Sequence, residues 1–225
     1  NMTPVYPAGD NDADRQAAAR YDAFNNGWFA DPVLRGQYPA GLWQELAGAF
    51  AMPHIAPGDM DIISAPIDFL GINYYFPTHV RSEAGSPYGA KQMDSGKEKT
   101  EMGWEVYAEG LYDLLVRLTE DYQVPIMITE NGAAYADTVD DGGRISDDQR
   151  VNYYKEHLIQ AHRAIGDGVD LRGYFAWSLM DNFEWAEGYS KRFGLVYVDY
   201  PTQERIIKKS GYWYSRAAAE NGLDV

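Results

Sequence analysis

Apolar side chains recur along the chain at two spacings, and their alternation predicts the architecture. Between Asn11 and Trp28 the positions Ala17, Tyr21, Phe24 and Trp28 fall at helical intervals, with Asn11 or Asp12 placed to cap the start. Residues 29–60 carry Pro32, Pro39, Pro53 and Pro57 and several glycines, which predicts irregular or short helical structure ending in a turn at Pro57-Gly58. Phe69 to Phe76 is then mostly apolar and aromatic without strict alternation, the pattern of a strand covered on both faces. The polar residues 82–103 predict a long loop.

From Trp104 to Tyr122 a second helix is expected, because Leu111, Leu114, Leu115 and Leu118 form one stripe. The short strand Ile126–Thr129 follows Pro125. Beyond a Gly- and Asp-rich loop at 137–143, Ser146 and Gln149 have capping-box spacing, and Val151, Tyr154, Leu158, Ala161 and Ile165 continue a helical stripe. Leu171–Trp177 reads as the returning strand, Phe193–Asp199 as a small extra strand, and Tyr212–Glu220 as a last helix ending before Gly222. Alternating strands and helices at this spacing predict right-handed βα units with parallel strands, an α/β fold. Three strands end near Tyr75, Glu130 and Trp177, and Asn1–Val5 supply the last residues of a fourth, against the eight of a closed (β/α)8 barrel. The pattern is therefore half a barrel, whose open edges and half-covered core require a complementary segment. A doubly wound open sheet is the alternative, although no G-x-G-x-x-G or Walker loop is present to fill its usual phosphate site.

Charge narrows the partners. Lys plus Arg number 19 against 34 Asp plus Glu, a net charge of -15, so neither a phosphate backbone nor an anionic membrane surface finds a basic face. Apolar runs stop well short of the roughly 20 residues of a membrane span. Cysteine is absent, which removes disulfides and thiolate chemistry and suits a reducing, cytoplasmic setting. Asn1–Pro7 shows neither an initiator Met nor the regions of a signal peptide, so the gene product is expected to start upstream. Aromatics, at 14% of the chain, fit either sugar-binding faces or a large aromatic core.

Candidate chemistry collects where the strands end: Asn73 and Tyr75, then Glu130 and Asn131, then Trp177, Asp181, Asn182, Glu184 and Trp185. In parallel α/β folds that end carries the site. Glu130 follows an apolar strand and precedes an Asn-Gly turn, where its carboxylate could attack an anomeric carbon while Tyr75 orients it; a helix cap or a paired structural carboxylate would use the same pattern. Trp177 to Trp185 places indoles around two carboxylates, suited to stacking on sugar C–H groups and accepting from hydroxyls, or to a core corner with capping acids. His54, His79, His157 and His162 lack metal-ligand spacing and read as surface or packing residues.

At Ile128-Thr129-Glu130-Asn131-Gly132 and Trp177 to Trp185 the chain resembles family 1 glycoside hydrolases, the retaining β-glucosidase family with a (β/α)8 barrel. Phe69 to Tyr75, Met102-Gly103-Trp104-Glu105 with Glu109-Gly110-Leu111, Asp170 to Tyr174 and Lys191 to Asp199 fall in the family's order, so residues 1–225 are similar to its C-terminal half, about four βα units with no second domain. The resemblance implies Glu130 as nucleophile with Tyr75 as its hydrogen-bonding partner and Asn73 beside the cleft. It implies Trp177 as the glycone platform, Glu184 and Trp185 on glycone hydroxyls, Phe193 as a wall of that subsite and Trp104 at the aglycone entrance. Glu184 would repel a phosphate dianion, so an unphosphorylated sugar is expected. The family's Asn-Glu-Pro, which carries the acid/base Glu, is missing from the sequence. A retaining glycosidase needs two carboxyl groups about 5 to 5.5 Å apart, so the second must come from an N-terminal half. The expected partners are a β-glucoside or related oligosaccharide and that half-barrel, with no cofactor, metal, nucleic acid or membrane. The alternative is a non-catalytic half-barrel that binds sugars or serves assembly, or a fragment inactive alone.

Overall fold

A computed structural model describes residues 1–223. β1 (Val5–Pro7) leads into α1 (Asp12–Asp22), whose start is capped by the Asn11 side chain accepting from the Asp14 N–H. A π-helical turn at Ala23–Gly27 joins it to α2 (Trp28–Arg35), so the helix runs past the expected end at Trp28. Pro32 is carried inside α2. Asp31 there accepts from the Tyr122 hydroxyl at 2.7 Å and Arg35 pairs with Asp121 at 2.9 Å, ties that offset the donor the proline lacks. Two short helices follow, α3 (Ala40–Ala47) and α4 (Asp59–Ile63), the latter entered through Gly58 at φ 93°.

β2 (Leu70–Tyr74) is succeeded by β3 (Thr78–Ser82) and β4 (Ala90–Met93), an antiparallel hairpin whose second strand falls inside the loop predicted for residues 82–103. Its buried Val80 and Ala90 pack on Ala17 and Ala18 of α1, a contact from far along the chain that local polarity conceals. β1 joins β3 in parallel. The expected fourth strand is thus displaced: Asn1–Thr3 touch β2 through one bond, from the Met2 N–H to the Asn73 carbonyl at 3.1 Å, and the strand proper belongs to the hairpin's sheet.

The second sheet matches the predicted βα repeat. α5 (Glu109–Tyr122), β5 (Ile126–Asn131), α6 (Asp148–Gly166) and β6 (Leu171–Ala176) follow in order, and β2, β5 and β6 pair in parallel. α5 begins five residues after the predicted start, because Gly103 at φ 75° and a bridge between Lys99 and Glu105 fold residues 99–105 back on themselves. The capping box at Ser146 does not form: Asp147 begins α6, and its carboxylate instead accepts from the Ser210 N–H at 2.8 Å and from Arg150. β7 (Val196–Val198) and β8 (Arg205–Ile207) form a small hairpin before α7 (Lys209–Glu220).

The core lies between the sheet and its helices. Ile72, Tyr74, Ile126 and Ile128 meet Leu111, Leu114, Leu115 and Leu118 of α5 and Ala161 and Ala164 of α6; each leucine buried there stabilises by about 2 kcal/mol. The opposite face corrects the expectation of a strand covered on both sides, since Gly71, Thr129 and Phe175 on it are exposed. On α6 the buried face is also rotated from the predicted stripe: Arg150, Tyr153, Tyr154, His157, Ala161 and Ala164 are inside, whereas Leu158 and Ile165 line an open groove of about 580 Å3 against β6 and α7.

Candidate active site

Strict alternation along β5 would send Glu130 toward the helices with Ile126 and Ile128. The register against β2 instead skips Thr129, passing from Ile72 opposite Ile128 to Asn73 opposite Glu130. This irregularity sets Glu130 at the C-terminal mouth of the sheet, half-buried, while Asn131 turns inward. Asn131 is fully buried, donating to the Tyr74 carbonyl at 2.8 Å and to the Tyr153 hydroxyl at 3.0 Å and accepting from the Tyr174 hydroxyl. Those bonds fix the residue next to the carboxylate and leave it little freedom.

The Tyr75 hydroxyl donates to Glu130 Oε2 at 2.5 Å. Burial, this bond and the charge of Glu130 hold the phenol protonated well beyond its ordinary range, so it remains a donor at any working pH. Asn73 stands opposite Glu130 in the register, and the Thr129 hydroxyl donates to its Oδ1 at 2.7 Å. Around Tyr75 stand two further rings, Trp104 at 5.1 Å and Phe193 at 6.3 Å between centroids, and these lie 6.0 Å from each other. Phe193 is buried and Trp104 half-buried, so the carboxylate has an aromatic wall on one side.

Trp177, half-buried at the end of β6, is pinned by its backbone: its N–H donates to the Asn131 carbonyl at 2.8 Å and its carbonyl accepts from the Tyr154 hydroxyl at 3.0 Å. Gly132 permits this approach, because a Cβ there would overlap the Trp177 carbonyl. Glu184 titrates above its ordinary value, chiefly through burial and also through the charge of Glu130, while the Trp177 side chain acts against the shift as a donor. The two carboxylates therefore share one electrostatic environment. Asn73, Tyr75, Trp104, Glu130, Trp177, Glu184 and Phe193 thus collect around one mouth. Trp185, next to Glu184 in the chain, has a left-handed backbone at φ 40° and is 82% exposed.

Sequence reasoning missed the support behind this mouth. Asp137, Asp147 and Asp181 alternate with Arg150, Lys208 and Arg192 in a buried ionic cluster. The signal available was Arg150, which lies on the face of α6 that carries Tyr154 and Ala161, where a charge calls for a partner. Asp181 stands at a strand end with the candidate acids, yet its oxygens are spent on Lys208, Arg192 and the Gly194 N–H. Among the described residues no group of three His, Asp or Glu is arranged to hold a metal ion, and no helix is long and apolar enough to cross a membrane.

Comparison with known proteins gives this geometry a context. The model of the family Glycosyl hydrolase family 1 matches residues 1–223. A 1,4-beta-D-glucan glucohydrolase of Thermotoga neapolitana is 48% identical over 219 residues, 96% of this chain and 49% of the relative. Beta-glucosidase A of Thermotoga maritima is 47% identical over 97% of this chain and 49% of its own length. A solved family 1 β-glucosidase from Thermotoga maritima superposes with a TM-score of 0.94 at 44% identity, covering 100% of this chain and 50% of that one. The same enzyme in complex with deoxynojirimycin gives a TM-score of 0.94 at 45% identity, again over 100% of this chain and 50% of that one. The chain spans about half the length of the curated relatives it matches, and its three parallel βα units are part of half a (β/α)8 barrel.

Proposed function

Because this chain belongs to glycosyl hydrolase family 1, we propose that it forms the C-terminal half of a retaining β-glucosidase, one half-barrel over residues 1–225 without a second domain. The observation that carries the reading is the Tyr75 hydroxyl 2.5 Å from Glu130 Oε2 at the mouth of a parallel sheet. One oxygen of the carboxylate is held by the phenol, which leaves the other to attack the anomeric carbon of a bound β-glucoside. As the glycosyl–Glu130 ester forms, the C–O bond to the aglycone breaks and the leaving oxygen takes a proton from an acid/base Glu in the N-terminal half. Water, deprotonated by that same Glu, then displaces Glu130 and releases the sugar with its configuration retained.

Trp177 offers a face beneath the glycone, Glu184 and Asn73 polar contacts to its hydroxyls, Phe193 a wall, and Trp104 a platform for the aglycone. Trp185, exposed as it stands, reaches the glycone once the other half narrows the cleft. The negative field of Glu184 beside Glu130 favours an uncharged glycone over a 6-phosphate.

A 2-fluoro β-glucoside with a good leaving group tests the assignment in the protein reconstituted with its N-terminal half. Peptide mass mapping is expected to find one sugar on Glu130, and Glu130→Gln is expected to abolish both labelling and turnover. Full turnover in Glu130→Gln would remove Glu130 from the chemistry. Glycoside binding without labelling would instead support a sugar-binding half-barrel.

A further inference from the structure

Behind the proposed site, five chain segments converge on six charged side chains. Lys208, at the start of α7, places its Nζ 2.5 Å from Asp137 Oδ2 and 2.8 Å from Asp181 Oδ1. Asp137 lies on the chain leaving Glu130; Asp181 lies between Trp177 and Glu184. Arg150 takes the other side of Asp137 at 2.9 Å and also contacts Asp147, and Arg192 takes Asp181 at 2.5 Å. The side chains of Asp137, Asp181, Lys208 and Arg150 have no exposed surface. Three positive and three negative charges balance. Among the described residues, Lys208 is the side chain that forms ion pairs with both loops.

Stability alone does not account for this choice. Buried ion pairs lose about as much in desolvation as they gain in attraction, and apolar residues of equal volume hold a core at least as well. What the ionic version adds is geometry, since an ammonium between two carboxylates fixes the separation of the loops that bear them. Arg192, in turn, precedes Phe193, and Arg150 Nη2 donates to the Arg192 carbonyl at 2.8 Å. The tie therefore reaches the nucleophile's loop, the Glu184 loop and the aromatic wall together.

We propose that Lys208 is a positioning residue for the glycosidase reaction, setting the Trp177–Glu184 loop against Glu130 by bridging Asp181 to Asp137. This rests on the glycosidase reading above. Loss of the bridge lets the Glu184 loop drift, so contacts to the glycone that tighten in the transition state are the ones lost.

The test uses the protein with its N-terminal half, an aryl β-glucoside, and the variants Lys208→Met and Lys208→Met/Asp137→Asn. The single variant leaves three buried carboxylates with two cations and is expected to lower the melting temperature. The double variant restores charge balance and with it most of the melting temperature, yet kcat/KM is expected to stay at least tenfold down. Combining it with Glu184→Gln should lower kcat/KM no further than the larger of the two separate losses, because both remove the same contact. If kcat/KM in the double variant recovers along with the melting temperature, or its loss multiplies with that of Glu184→Gln, Lys208 is a structural residue and the proposal falls. An inactive wild-type protein would overturn the glycosidase reading itself, and this inference with it.

Discussion

Glu130 lies in β5 and Tyr75 just past β2, 55 residues apart, and their 2.5 Å contact exists because β2 and β5 are neighbours with a skipped register. A hydroxyl that stays protonated can orient a carboxylate without competing for its proton. Tyr75→Phe is therefore expected to cut kcat for an aryl glucoside by roughly 10 to 100 fold with the melting temperature shifted little; an unchanged kcat would take Tyr75 out of the site. A second titrating residue lies deeper. His157 is fully buried, its Nδ1 facing the Tyr153 carbonyl at 2.7 Å and its ring stacked on Tyr153 at 3.9 Å, and burial lowers its pKa to about 4. The unfolded chain takes up that proton near pH 6.5, whereas the folded one resists until about pH 4, so stability is lost as pH falls between those values. From pH 7 to pH 5 the loss is about 2 kcal/mol. Urea unfolding at both pH values should show a smaller drop for His157→Phe than for the parent, and equal drops would mean that His157 charges in the folded state.

Among the elements, those whose burial is decided within the chain were legible in the sequence, and those decided by distant contacts were not. α5 shows its leucine stripe because the sheet it covers is present, and β5 and β6 show as short apolar runs for the same reason. The β3–β4 hairpin was hidden: its buried apolar residues Val80 and Ala90 meet α1, some 60 to 70 residues upstream. Arg150 escaped notice through the opposite effect, a charge on an inner helix face whose partners are Asp147 at the start of its own helix and Asp137 and the Arg192 carbonyl from two other segments. Tyr75, Glu130, Trp177 and Glu184 could be read as a group since parallel βα units bring strand ends together. What pattern could not supply was their orientation, which depends on the register skip and on the fit between β5 and β6. That fit hinges on Gly132. A methyl group there overlaps the Trp177 carbonyl, so Gly132→Ala must push β6 away from Asn131 or twist the turn after Glu130. The expected cost is about 3 kcal/mol in thermal or urea unfolding, together with loss of glycosyl labelling at Glu130. A variant with parental stability would show that the turn yields freely.

At the scale of the molecule the sheet is finished on one side only. Its helix-facing residues are sealed by α5 and α6, whereas Phe175 on the other face is 53% exposed and Leu179 and Phe183, just past β6, are 68% and 57% exposed. Among the described residues β2 and β6 end the sheet β2-β5-β6, and the outer edge of β2 is met by the single bond from the Met2 N–H to the Asn73 carbonyl. Apolar surface and unpaired strand edges together favour association, and a net charge of -15 opposes it only at low ionic strength. The chain alone is therefore expected to bind a hydrophobic dye and to sediment as mixed oligomers in about 0.5 M salt, where the Debye length falls to roughly 4 Å. A half-barrel that adds parallel strands to both edges would cover Phe175 and the Leu179–Phe183 stretch and bring the second carboxyl group to Glu130 in the same event. Titrating that half into this chain should quench the dye, yield a one-to-one complex and raise glycosidase activity along a single saturation curve. Quenching that saturates without activity would separate closure of the barrel from assembly of the site, and would leave the acid/base group to be sought elsewhere.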